Sequence, residues 1–429
     1  MQRHLTALAA TAAVTLSLAT SAACAAEVTV ATWNLGWHLD APLATRWIAA
    51  CSQTFSKPGT GELWRPDPAG TKTGWQLRWG RDAKIDWDIG KMPPCDVWQS
   101  RFKPVPVTEA ALAKRRQQIA EVLAKRVNAD VIAFQEVSSV QAVREVLPDG
   151  GRDYEVCGFT SHKVQRLAFA WRRSVATAVG GCEVYSPLAL PERPAKEQPR
   201  PGLSVALRIG GKVTRFMTVH LKSSCVSPLE GSSSSGNGTR GQLASDDKAC
   251  SVLQAQLQPL EHWLQERSQG VDAVVMLGDF NRNIAHEASL PANTPVRSRG
   301  RPTDPYAPGV RSSNLWREVN DGVPAASRLT ALDNTCPLDE AIASVCKSAK
   351  TKVLAPAEMA QLTDAKALGC RNPLGLDHIA VRLPGSGPVP VAEKVPLGFL
   401  GRTLEAKAPR PDPLLAVSDH CPLKARLSL

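Results

Sequence analysis

A pattern repeated along this chain constrains its fold more than any other feature. Short apolar runs, each about one strand long, end on a residue that can hold a proton, a water or a hard cation. The sharpest case is the run from Val274 to Leu277, which is followed by Gly278, Asp279, Phe280 and Asn281. The apolar residues read as a buried strand, and the next residues place a carboxylate and an amide two positions apart at its mouth. Taken alone, that pair is more often a turn than a site, because Asp and Asn close turns through their own side chains. The same ending elsewhere in the chain would decide between the two.

It does recur. EVTVATW, from Glu27 to Trp33, alternates as a strand and is followed by Asn34; DVIAFQEV carries Glu136 at its end; KVTRFMTV runs into His220. LDHIAV starts with Asp377, and Asp419 and His420 precede the last strand, LKARLSL. Between these runs, Thr108 is placed to cap a helix reaching about Val127, with Leu112, Ile119, Val122, Leu123 and Val127 on one face and Lys114, Arg115 and Arg116 as its wet face. VQAVREVL reads as a short helix, and SVLQAQLQPLEHWLQER, after Cys250, as a longer amphipathic one. Glu136, Asp279 and Asp419 are hard oxygen donors, which with Asn34 and Asn281 suit an open Mg²⁺ or Mn²⁺ site. Histidines beside carboxylates suit proton transfer near neutral pH.

The rest of the chain bounds the setting. Residues 1–25 carry Arg3, an apolar centre and Ala23-Cys24-Ala25, the pattern of a cleaved secretory signal, so a secreted or periplasmic protein with no stable membrane span is expected. Losing Arg3 takes the net charge from +11 to +10, and losing Cys24 takes the cysteines from 11 to 10. An oxidising compartment then favours disulfides. Cys421 stands apart, because its place in SDHCPL suits a buried thiol. The basic balance favours an anionic partner, either nucleic acid or phospholipid head groups. Residues 26–429 read as one domain, expected to be a monomer, with an insertion at about 40–107 and a flexible Ser/Gly loop at about 226–247. The insertion holds Trp47, Trp64, Trp75, Trp79, Trp87 and Trp98, with Cys51 and Cys95 placed to bridge it. These tryptophans can form a small core or, with Arg65, Arg78, Arg81 and Lys84, a surface on which bases stack. There is no Gly-rich phosphate loop, and no C-x-x-C spacing that would suggest structural zinc.

TWNLGW, FQEV, TVHLKS, LGDFN, LDHIAV and SDHCPL, in that order, resemble the motifs of the endonuclease/exonuclease/phosphatase superfamily. The resemblance implies an α+β, four-layer α/β/β/α sandwich of two mainly antiparallel sheets, as in deoxyribonuclease I. It also implies metal-dependent phosphoester hydrolysis with Mg²⁺ or Mn²⁺, and structural Ca²⁺ as a further option. By this resemblance Asn34, Glu136 and Asp419 hold the metal. Asp279 orients or deprotonates the attacking water, with Asn281 holding phosphate or water. His420, oriented by Asp377, donates to the phosphoryl oxygens, and His220 hydrogen-bonds the phosphate or protonates the leaving oxygen. Nucleic acid is the expected substrate. The alternatives are a sphingomyelinase-like or inositol-phosphate hydrolase, and a non-catalytic binding protein on the same scaffold. Two positions depart from the deoxyribonuclease branch: Ser138 and Ser139 follow the glutamate where that branch has an arginine, and Gln165 stands where the first histidine's glutamate partner is expected.

Overall fold

The structure is a computed structural model describing residues 26–79, 83–100, 103–225, 243–244, 247–289, 296–297, 310–311, 314–333, 340–349, 355, 357–358, 361, 368–370, 375–385, 387–405 and 412–429. The signal-like segment, most of the Ser/Gly loop, Arg81 and Cys336 lie outside the described residues. In chain order, β1 (Glu27–His38) is followed by α1 (Ala41–Ser52), β2 (Thr54–Ser56), β3 (Arg65–Pro66) and β4 (Lys72–Thr73). Next come α2 (Glu109–Val122), β5 (Val131–Val137), α3 (Val140–Arg144), β6 (Tyr154–Gly158), β7 (Arg166–Arg172), β8 (Thr177–Ala178), β9 (Glu183–Tyr185), β10 (Gly202–Ile209) and β11 (Lys212–His220). Then follow α4 (Lys248–Arg267), β12 (Ala273–Asp279), α5 (Ile284–Ser289), β13 (Val296–Arg297), β14 (Val310–Arg311), α6 (Leu315–Val319) and β15 (Thr330–Ala331). The chain ends with α7 (Glu340–Ala349), β16 (Asp377–Arg382), β17 (Ala392–Lys394) and β18 (Leu423–Ser428).

Two sheets carry the fold. One has the order β17-β18-β1-β5-β7-β6; the other runs β15-β16-β12-β11-β10-β8, with β9 also paired to β10. Within them only β1/β5 and β11/β12 are parallel among the described residues. Period-two alternation makes the layers. Val28, Val30, Val131, Ala133, Leu167 and Phe169 of the first sheet meet Leu203, Val205, Phe216, Val275, Leu277 and Ile379 of the second in one buried core. The intervening residues face outward: Ala31, Trp33 and Phe134 pack under Ile119, Val122 and Leu123, while Met217, Val219 and Met276 pack under Leu253, Leu257 and Trp263 of α4. The result is the four-layer α/β/β/α sandwich.

The same alternation leads to the site. Toward one end of the inner faces, apolar residues give way to polar ones. Thr32 donates to Gln135 Oε1 at 3.1 Å, and Gln135 Nε2 donates to Thr218 Oγ1 at 3.0 Å, a buried polar link from one sheet to the other. Two residues further along those strands stand Asn34 and His220.

The tryptophan-rich insertion is a packed lobe. Trp47, Trp75 and Trp98 are buried with Leu39, Val105 and Val107, and this cluster continues into Ala111 and Leu112 of α2. Trp47 meets Trp75 and Trp98 edge to face, with centroids 5.1 and 5.4 Å apart, and Trp79 meets Trp87 in the same way at 4.9 Å. Their faces are therefore taken up by protein, which removes Trp47, Trp75 and Trp98 from any base-stacking surface. The Cys51–Cys95 disulfide closes the lobe; Cys157–Cys182, Cys225–Cys250 and Cys370–Cys421 bridge elsewhere. Cys421 is thus a disulfide partner and not the buried thiol its motif suggests, because the 368–370 segment lies against it, with Leu368 O 3.4 Å from Cys421 Sγ.

Arg115 corrects the reading of α2. It is 2% exposed and points inward, onto the backbone carbonyls of Leu35 and Val417. One of its partners, His38, gives a testable consequence. His38 Nε2 donates to Ala142 O at 3.0 Å and Nδ1 accepts from Arg115 Nη1 at 2.9 Å, so both ring nitrogens suit the neutral form only. Burial, aided by the Arg115 charge, pushes this imidazole down to about 3. The unfolded chain takes up a proton below the ordinary value of 6.5 that the folded chain refuses, so this stability is present above 6.5 and drains away as pH falls toward 3. From pH 7 to pH 5 the loss from this group is about 2 kcal/mol. Urea unfolding at both pH values should show that loss in the wild type and a smaller one in His38→Gln; equal pH dependence in the two proteins would refute it.

Candidate active site

The second sheet builds half of the site as a row. In register, His220 of β11 lies beside Asp279 of β12, which lies beside Asp377 of β16. Gly278 permits this row: its φ is +142°, and a Cβ there would collide with the Val219 backbone. The first sheet supplies Asn34 from β1 and Glu136 from β5. Asn34 pairs with Gln135, and the register on both sides of β5 then skips Glu136, which has φ +58°. A bulge of this kind turns one side chain out of the ladder, and here it turns Glu136 toward the row. Asp419 and His420 arrive on the turn before β18, held by Ser418, whose Oγ donates to Asn34 O at 2.6 Å and accepts from His420 N at 2.9 Å.

The side chains meet closely. Asn34 Nδ2 donates to Asp279 Oδ2 at 3.1 Å and lies 3.5 Å from Glu136 Oε1. His220 Nε2 is 3.5 Å from Asp279 Oδ2 and 3.7 Å from Glu136 Oε1. His420 Nδ1 lies 2.7 Å from Asp377 Oδ2, and its Nε2 is 3.9 Å from Asp279 Oδ2. Asn281, at φ +52°, turns its backbone N–H onto Asp279 Oδ1 at 2.8 Å and gives its amide N–H to Leu221 O at 3.1 Å. Asp419 sits over Gly36, its Oδ1 3.1 Å from where a Cβ on that glycine would stand. The eight polar residues named from sequence thus come to one end of the inter-sheet core.

Burial sorts their charges. It would lower His420, but the Asp377 carboxylate overrides it and holds the imidazole well above its ordinary range, so His420 is a cation at neutral pH. Burial raises Asp279 to about 7, with Asp377 adding to the effect and His420 opposing it. Burial, then Arg200 and the cationic His420, hold His220 well below the ordinary imidazole value, so it is neutral.

Sequence reasoning did not find the support around Glu136. Gln165 Nε2 donates to Glu136 Oε2, which also accepts the Trp37 N–H at 3.1 Å. Gln165 in turn accepts from Arg200 Nη2, and its backbone carbonyl accepts Arg200 Nε at 2.9 Å. Gln165 therefore serves the glutamate and not His220, whose Nδ1 is buried without a partner. The substitution of an amide for an acid at position 165 was the visible signal; its partner was not.

Among the described residues, the atoms that cluster within 4.8 Å as potential metal ligands belong to Asp279, Asp377 and His420. That trio suits a proton network better than an ion, because His420 is protonated and already bound to Asp377. Of the three residues expected to hold a metal, Glu136 and Asp419 offer carboxylates, the donor type that suits Mg²⁺ or Mn²⁺, whereas Asn34 Oδ1 accepts the Gly36 N–H at 3.0 Å.

The chain resembles the endonuclease/exonuclease/phosphatase superfamily in these motifs and in its sandwich. No family model matches it, and no curated protein is similar enough to match. Among solved structures it is similar to an endonuclease/exonuclease/phosphatase family protein from Bacteroides thetaiotaomicron, with 14% identity, 94% of this chain and 98% of that chain covered, and a TM-score of 0.41. Staphylococcus aureus beta toxin gives 13% identity, coverage of 93% and 99%, and a TM-score of 0.41. A humanized D. rerio TDP2 gives 13% identity, coverage of 93% and 98%, and a TM-score of 0.37.

Proposed function

We propose that this chain is a secreted, divalent-metal-dependent phosphodiesterase that cuts nucleic acid by in-line attack of water. The observation that carries the reading is the pairing of opposite protonation states in one buried site: a cationic His420, fixed by Asp377 at 2.7 Å, stands 3.9 Å from Asp279, whose carboxyl is poised at about 7. A base near 7 both holds and accepts a proton at working pH, so Asp279 orients the water and takes its proton. The His420 imidazolium stabilises charge that develops on the phosphoryl oxygens. Neutral His220 donates a hydrogen bond through Nε2; of its two expected roles, burial favours binding phosphate over protonating the leaving oxygen. Asn281 fixes Asp279 through its backbone N–H and holds the water or phosphate beside it. Glu136, Asn34 and Asp419 would hold Mg²⁺ or Mn²⁺, which when bound supplies Lewis-acid charge neutralisation at the phosphate. Gln165 and Trp37 keep the Glu136 carboxylate aimed for that purpose.

The test is direct. Purified mature protein is incubated with plasmid, single-stranded DNA, RNA and sphingomyelin, in Mg²⁺ or in chelator. Cleavage of a nucleic acid that stops in chelator and returns with added Mg²⁺ is the expected result. If only sphingomyelin is cut, the substrate assignment fails and the hydrolytic site stands. If no phosphoester is cut, the enzyme reading fails.

A further inference from the structure

We propose that Lys163, Arg200 and Lys222 form a second anion subsite beside Glu136 and His220, which takes a phosphate group neighbouring the one that is hydrolysed. The proposal rests on the hydrolytic reading above and names what that site would recognise. The three residues come from separate segments: the loop before β7, the loop before β10, and the residues just after β11. All three are half-buried. Arg200 is one side chain from the centre, since the Gln165 it grips donates to Glu136. Lys222 lies two residues beyond His220.

Their partners are neutral. Lys163 Nζ donates to Gln198 O at 2.7 Å and Lys196 O at 3.2 Å; Lys222 Nζ donates to Ser223 O at 2.7 Å; Arg200 donates to the backbone and side-chain oxygens of Gln165. Carbonyls fix these cations in place and leave their charge uncompensated. Burial lowers both lysines, Arg200 lowers both further, and Lys163 adds to the effect on Lys222, so the three share one field. The acids acting on them are committed elsewhere. Asp88 lies 3.5 Å from Lys91, Asp247 caps α4, and Glu136 and Asp279 belong to the catalytic centre.

A second observation points into the same corner. His162 Nε2, in the loop that carries Lys163, and Arg166 Nε, at the start of β7, are buried and unpartnered. Concentrated positive charge with idle N–H groups is relieved by an oxyanion. It repels a quaternary ammonium, which weighs against a phosphocholine head group. The ligand chemistry is therefore a second phosphate, carried by a nucleic-acid strand or by a multiply phosphorylated inositol.

The experiment compares wild type with Lys163→Met/Lys222→Met, and with Lys163→Gln/Lys222→Gln, whose amides can still donate to the loop carbonyls. Each is assayed on bis(p-nitrophenyl) phosphate, which has a single phosphodiester, on single-stranded oligothymidylate and on an inositol bisphosphate; pyrophosphate binding is measured by calorimetry. Both double variants should lose about tenfold or more in kcat/KM on oligothymidylate, mainly through KM and with a shallower salt dependence, while bis(p-nitrophenyl) phosphate turnover is unchanged. Pyrophosphate binding should weaken in parallel. A loss confined to the inositol bisphosphate supports the subsite and assigns that source to its phosphate. Equal losses on all substrates, or none on any, overturn the proposal. If wild type hydrolyses nothing, the hydrolytic reading has failed and calorimetry alone decides: pyrophosphate binding lost in both variants supports the subsite, and binding equal to wild type overturns it.

Discussion

Asp279→Asn should lower kcat by about 10³-fold or more while leaving the fold intact. The amide is isosteric with the carboxylate, and its oxygen can still accept the Asn281 N–H that Asp279 Oδ1 accepts at 2.8 Å. What it loses is the ability to take a proton. Burial raises Asp279 to about 7, so wild-type activity should climb as pH rises through that region, where the carboxylate forms, and the variant's residual activity should lack this limb. The relief of removing a buried carboxyl is set against the lost hydrogen bond from Asn34 Nδ2, which Asp279 Oδ2 accepts at 3.1 Å, so stability should change by about 1 kcal/mol or less at neutral pH. A pH–rate profile and urea unfolding of both proteins check the two halves together. A variant that retains its kcat, or a wild-type profile flat over roughly one pH unit either side of about 7, would exclude Asp279 as the base.

The readable part of this molecule was whatever period-two alternation governs. Asn34, His220, Asp279 and Asp377 each continue the inward face of a strand that can be followed by eye, so their meeting at one end of the core follows from the strands packing face to face. Glu136 was visible as an acid ending an apolar run. The bulge that releases it was not, because it depends on register with two neighbours at once. Lys163, Arg200 and Lys222 lie far apart in sequence on loops, where no periodicity reports what will be adjacent. Arg115 is a different kind of miss. Set between Lys114 and Arg116 it looked solvated, yet it is three residues after Leu112 and four before Ile119, on the same helix face as both. A charge at a core position is a sign of buried partners, and spacing would have given it away.

Those partners make Arg115 the second residue whose loss should be severe. Its guanidinium donates to Leu35 O at 2.5 Å, Val417 O at 2.7 Å, Ala416 O at 2.8 Å and His38 Nδ1 at 2.9 Å, and lies 5.1 Å from the Trp98 ring centroid. Burial lowers it to about 9, so it keeps its charge at neutral pH, with Asp419 nearby favouring the charged form. The carbonyls belong to the segment that carries Asn34 and the one that carries Asp419 and His420, and Arg115 is the bolt between them. Arg115→Met fills much of the volume but strands three buried carbonyls and one imidazole nitrogen. At about 1–3 kcal/mol for each unsatisfied group, partly relieved by relaxation, a loss of about 5 kcal/mol is expected. Arg115→Lys should rescue little, because a single ammonium cannot span acceptors on two segments. Loosening the joint by an ångström separates Asn34 and Glu136 from His420, so kcat should fall about 10²-fold even in protein that remains folded. Urea unfolding together with kcat measured well below the unfolding transition tests this. Near-wild-type stability in the methionine variant would show that the two segments hold each other without Arg115, through the Ser418 to Asn34 hydrogen bond at 2.6 Å and the sheet alone.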